Sequence, residues 1–90
     1  MTDAELLVKV KSGLGLSGEY TDGSISIKML AVKQYMLNGG ITQEQIETDL
    51  GIATLTVGVS DLWNTTSGEV KFSEAFTLYL LPQLQAVSMP

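Results

Sequence analysis

Carboxylates are the most numerous groups in this chain that could do chemistry. Glu44, Glu47 and Asp49 fall close together, and paired carboxylates can exchange protons or hold a hard metal ion. Their place at the start of a helix gives a simpler account, because acidic side chains suit the positive end of the helix dipole. They read as a solvated first turn. The chain has no histidine and no cysteine, so the usual general base, the imidazole ligand and the thiolate ligand are all missing. Serines are present, but none is paired with a base that would activate it. No G-K-[ST] triplet occurs, which excludes a P-loop. The residues predict no enzyme, no metal and no cofactor.

Gly13-Leu14-Gly15-Leu16-Ser17-Gly18 fits G-x-G-x-x-G in form. A dinucleotide fingerprint follows a strand and opens a helix. Here a helix comes before and a loop after, so the glycines read as a helix end and turn, with Leu14 and Leu16 folded back onto the core. Asn64-Thr65-Thr66 has the form of a glycosylation acceptor, which carries no weight without a secretion signal.

Ten acids stand against five lysines, for a net charge of −5, and there is no arginine. Arginine supplies bidentate contacts to phosphate and guanine, and phosphate binding needs positive charge, so a dedicated nucleic-acid reader is not expected. Ninety residues, 44 % of them hydrophobic, suit one folded domain with a modest core. Such a domain gains from a partner subunit, since association favours the folded state. The first residues lack the pattern of a signal peptide, and no apolar run is long enough to span a membrane. The expected setting is cytosolic.

The elements that must position these residues read as helices. Thr2 and Glu5 form a capping box, and Leu6, Leu7, Val10 and Leu14 make one apolar face that Gly13 ends. Thr21 or Asp22 starts a second helix, in which Ile25, Met29, Val32 and Met36 share a face. Its methionines could serve an adaptable binding surface, but core is the better reading. Asn38-Gly39-Gly40 stops it. Thr42 and Gln45 cap a short third helix carrying Ile46 and Leu50 inward.

The segment 50–64 organises the rest and contains the sole tryptophan. Leu55, Val57 and Val59 alternate with Thr54, Thr56 and Gly58 as in a strand, and local propensity agrees. Yet Leu50, Ala53 and Val57, with Ile52, Leu55, Val59 and Leu62, extend at helical spacing beyond any short strand. A buried helix is predicted, with Met29, Val57, Leu62 and Trp63 in the core, Trp63 largely buried against the first two helices, and Asp61 or Asn64 fixing the loop after it. Ser73 caps a last helix in which Phe72, Phe76, Tyr79 and Leu80 supply bulk. Pro82 ends or kinks it. The fold class is all-α, a compact bundle of four to five short helices around a buried central helix, with a domain over 1–82 and a loosely held tail over 83–90.

Three stretches together resemble one family: LLVKVKSGLGLSGEYTDGSISIKMLAVKQYM near the start, GVSDLWN at residues 58–64, and GEVKFSEAFTL at residues 68–78. They are similar to the small head–tail connector proteins of tailed bacteriophages and prophages, often labelled DNA-packaging proteins. The resemblance covers nearly the whole chain. It implies a structural protein made in the host cytoplasm and built into the virion head–tail junction. There it would form a ring on the portal protein, twelvefold to match it, extend the DNA channel and dock tail-completion proteins. DNA would pass without sequence-specific binding, and no membrane is involved. Two glycine-rich polar loops, 14–21 and 65–71, are the expected contact regions, with Leu16, Tyr20, Val70 and Lys71 as candidate interface residues. The alternative is a small regulatory or DNA-binding adaptor domain of a mobile element, suggested by the Gly39-Gly40 turn between two helices.

Overall fold

The computed structural model describes residues 1–19, 22–63 and 72–88. Its elements are α1 (Asp3–Leu14), α2 (Asp22–Asn38), α3 (Gln43–Ile46), α4 (Asp49–Trp63), a π-helical segment (Ala75–Leu80) and α5 (Leu81–Ser88). No strand occurs among the described residues. The expected all-α bundle holds, and α4 is its centre, touching every other element.

The threonines of α4 do not turn it into a strand. Thr54 and Thr56 each donate a hydroxyl to the carbonyl four residues back, on Leu50 at 2.7 Å and Ile52 at 2.8 Å. This satisfies the hydroxyl inside the helix, and Thr54 is fully buried. The glycines of α4 serve close packing. A Cβ on Gly58 would lie 2.5 Å from Val32 and 2.8 Å from Phe76, and one on Gly51 would lie 2.0 Å from the Gln45 carbonyl oxygen. Local propensity is thus given up for tight contact with α2, α3 and the π segment.

The helix ends follow sequence chemistry closely. Thr2 with Glu5, and Thr42 with Gln45, form reciprocal capping boxes. The Thr48 hydroxyl accepts from the Gly51 amide at 3.1 Å and donates to the Gln45 carbonyl at 2.7 Å, joining α3 to α4. Gly15 (φ 73°), and not Gly13, closes α1. Its amide donates to Ser12 and the Leu16 amide donates to Lys11, the paired bonds of a Schellman turn. Gly13 stays helical because α4 comes close there, and a Cβ would meet Thr56 at 2.9 Å. Gly40 (φ 92°) closes α2 in the same way, with Ile41 donating to Met36.

Helix directions follow from their cross-links. Lys33 meets Asp3 at 2.7 Å, and Lys11 meets Asp22 at the other end, so α1 and α2 are antiparallel. Gly58 packs on Val32 while Trp63 lies beside Lys28, so α2 and α4 are antiparallel too. The core holds Leu6 and Val10 of α1, all four residues of the expected α2 face, Ile41, Ile46, Leu55, Val59 and Phe76. Phe76 stacks on Phe72 with centroids 4.5 Å apart, and Tyr35 closes the cluster at 5.0 Å from Phe72.

The C-terminal expectation needs correction. Residues 83–88 continue as helix, and Leu81 and Leu84 are buried at 7 % and 2 % exposure, so the domain does not stop at 82. Pro82 neither ends nor breaks the helix. It is the second residue after the π segment, inside one continuous helical run, so it has no amide hydrogen to give the Leu78 carbonyl four residues back. Its ring would clash with the carbonyl four residues back, and the π register lies immediately upstream, where relief is needed. The Leu81 amide bonds the Phe76 carbonyl five residues back.

Candidate functional site

The last turn of α4 runs past its neighbours. α1 has stopped at Leu14 and α2 starts at Asp22, so few of the described residues remain to cover Trp63. The tryptophan is 44 % exposed, which corrects the expectation that it is largely buried. One partner is the Lys28 ammonium, 5.2 Å from the ring centroid, a cation–π contact. Trp63 also lines a cleft of about 160 Å³ with Leu14, Leu16 and Ser60. The Schellman turn at Gly15 aims Leu16 back into it. Lys11 holds the turn by donating to the Gly18 carbonyl and the Asp22 carboxylate.

Below this cleft, Asp61 ties α4 to the last helix. Its Oδ2 accepts from both the amide and the hydroxyl of Ser73, each at 2.9 Å. Ser73 Oγ in turn accepts from the Phe76 amide at 3.4 Å. Asp61 thus ties the end of α4 to the start of the last helical run, and Ser73 caps that run as expected. Asn64, the other residue expected to hold this connection, lies outside the described residues.

A second group of apolar side chains stands open on the π segment. Leu78 and Tyr79 are 60 % and 61 % exposed, so Tyr79 does not add to the core as expected. In an α register, Phe76, Tyr79 and Leu80 would share a face. The i→i+5 register turns Tyr79 outward while Phe76 stays buried. Nothing in the local sequence apart from Pro82 signals that change.

Of the expected interface residues, Leu16 is half-buried in the cleft. Tyr20, Val70 and Lys71 lie outside the described residues, as does the whole loop 65–71. Met29 is fully buried, and Val57 and Leu62 are partly buried against the core.

The carboxylates do not converge. Glu47 accepts from the Gln43 amide at 2.9 Å and lies 3.3 Å from the Met1 ammonium. The Gln43 bond, with that ammonium, holds its carboxyl below the ordinary glutamate range. The Thr2 amide and hydroxyl hold Glu5 low in the same direction. No group of three or more metal-ligating side chains gathers among the described residues. A wider groove of about 270 Å³ between α1 and α4 is lined by Lys9, Ser12, Asp49 and Ile52 and assembles no catalytic set. No described helix is long and apolar enough to cross a membrane.

Comparison with family models, with curated proteins and with solved structures finds no match to this chain.

Proposed function

We propose that the chain is a structural subunit of the head–tail connector of a tailed phage or prophage. It joins a ring on the portal, lengthens the DNA channel and offers a surface to tail-completion proteins. The observation that carries this reading is the large apolar side chains left in water around a filled core. Trp63 lies open at the end of α4, and Leu78 and Tyr79 lie open on the π segment. Apolar groups held out in this way suit contact with neighbouring subunits.

The sequence resemblance supplies the kind of assembly. Its two most telling pieces, residues 58–64 and 71–73, are linked through the Asp61–Ser73 hydrogen bonds. Their order and spacing therefore serve a structural joint. The charges favour a passive role toward DNA. Lys11 and Lys33 are taken by Asp22 and Asp3, and Lys28 lies over Trp63, within a chain of net charge −5. An acidic channel wall repels the phosphates and lets DNA slide. A DNA-reading domain would need a recognition helix after the Gly39-Gly40 turn. That place belongs to α3, four residues long, and then to α4, which contacts every other element of the bundle.

The test is to mix the protein with purified portal rings and follow complex size by native mass measurement. A ring-sized gain in mass is expected without DNA. Paired replacement by serine of Leu16 and Tyr20, or of Val70 and Lys71, should abolish the complex while helix content stays normal. Portal binding retained by both variants, or binding of the unaltered chain to naked DNA alone, would overturn the reading.

A further inference from the structure

Two of the open apolar groups, the Trp63 cleft and the Leu78–Tyr79 protrusion, complement each other in position, size and charge. They lie on opposite faces of α4. Thr56 touches α1 at Gly13, and Ser60, one turn on, lines the cleft. Gly58 faces Phe76 of the π segment and is turned about 200° from Thr56 at 3.6 residues per turn. A single copy therefore presents a cleft on one flank and a protrusion on the other.

The sizes agree. The cleft measures about 160 Å³, and an apolar cavity of about 150 Å³ accepts a benzene ring. Tyr79 supplies one exposed ring and has no aromatic or hydrogen-bond partner among the described residues. The charges agree as well. Lys28, at the rim beside Trp63, donates to the Ser24 hydroxyl at 2.9 Å and pairs with no carboxylate among the described residues. Glu74 is exposed one turn before Leu78 and pairs with no cation among them.

We infer that Tyr79 of one copy seats in the Leu14–Leu16–Ser60–Trp63 cleft of a second copy, with Leu78 at the rim and Glu74 facing Lys28. Each copy then gives its protrusion to one neighbour and its cleft to the other. A contact between unlike surfaces is heterologous, closing into a ring or running on as a filament according to the rotation per step. Closure into a ring rests on the connector reading above. The lysine and glutamate fix the register and disfavour the reverse pairing.

The chain has no cysteine, so introduced thiols report the contact cleanly. Ser60→Cys marks the cleft, and Leu78→Cys marks the protrusion while leaving Tyr79 in place. Mixed at high concentration under mild oxidation, with and without portal rings, the two variants should form a mixed disulfide at least tenfold faster than either forms with itself. The double variant should give a ladder or a closed ring. Tyr79→Ala, a surface change that leaves helix content intact, should cut the yield about tenfold. Lys28→Glu should cut it as well, and Glu74→Lys in the same chain should restore it.

Equal self-linking of Leu78→Cys would mean a symmetric contact and would overturn the proposal. So would the lack of any mixed product in both conditions, even if Tyr79→Ala weakened portal binding, since Tyr79 would then dock on the portal. Portal binding without the mixed disulfide defeats this interface and leaves the connector reading standing. The mixed disulfide without portal binding does the reverse.

Discussion

The two ends of α4 are finished differently. At the Asp49 end, α3 folds across the base, with Gly51 pressed against its carbonyls. Ile41, Ile46 and Leu84 are all at or below 2 % exposure. The Gln85 side chain reaches the Gly39 carbonyl at 3.2 Å and links α5 to the end of α2. At the Trp63 end, the largest side chain of the protein is left half in water beside Leu14, Leu16 and a lysine. The two ends differ because neighbouring elements continue past one of them and stop short of the other. An end that the described residues leave uncovered offers a surface to another molecule.

The contrast meets its hardest test at the sealed end. Leu84→Ala removes a buried side chain from α5 and should cost about 3 to 4 kcal/mol in denaturant unfolding. A loss near zero would mean that residues 83–88 are a tail after all. Gly51→Ala comes next. Its new Cβ would meet backbone oxygens, which cannot swing aside, and overpacking of this kind should cost about 2 to 3 kcal/mol. The middle of the molecule is probed by Asp61→Ala, which strips the Ser73 amide and hydroxyl of their acceptor. A loss of about 1 to 2 kcal/mol is expected, measured as a shift in denaturant midpoint.

At the open end the effect should shrink. Buried aromatics cut to alanine lose about 3 to 5 kcal/mol, and half-exposed Trp63 should lose about 1 kcal/mol or less. A buried-type loss on Trp63→Ala would show that the end is closed in solution. The smallest effect is that of pH. Glu5 and Glu47 are held below the ordinary glutamate range. Their contribution is full above that range and disappears as pH falls through it to the lowered values. Both groups sit at the surface, so the decline in melting temperature on acidification should be slight and should fade in high salt. Glu47→Gln should flatten part of it.

Much of this arrangement was legible in the sequence because it rests on local rules. Thr2 with Glu5 and Thr42 with Gln45 announced helix starts, and the spacing of Ile25, Met29, Val32 and Met36 gave the buried face of α2 without error. Helical spacing over residues 50–62 outweighed the strand-like alternation, with the hydroxyl bonds of Thr54 and Thr56 explaining how. Features set by tertiary contact were not legible. Gly13 looked like a helix stop, yet it is where α4 approaches. Trp63 looked like core, but how far α1 and α2 extend alongside it is not encoded near residue 63. Pro82 signalled an end, whereas Leu84 had a place waiting in the core. The outward turn of Tyr79 depends on a change of helical register that ordinary periodicity does not contain. The cleft itself joins Leu16 to Ser60, and no spacing rule links residues so far apart.

The position of Trp63 also determines what light will report about this protein. It is the only indole in the chain, so intrinsic emission samples the uncovered end and little else. On heating, that end can fray before the rest, and the emission change would then precede the loss of helical circular dichroism. Such a mismatch between probes is ordinarily taken as evidence of a populated intermediate. Here it would reflect where the fluorophore sits. Conversely, a blue shift of the emission with rising protein concentration would register water leaving one ring at one surface, with no label attached.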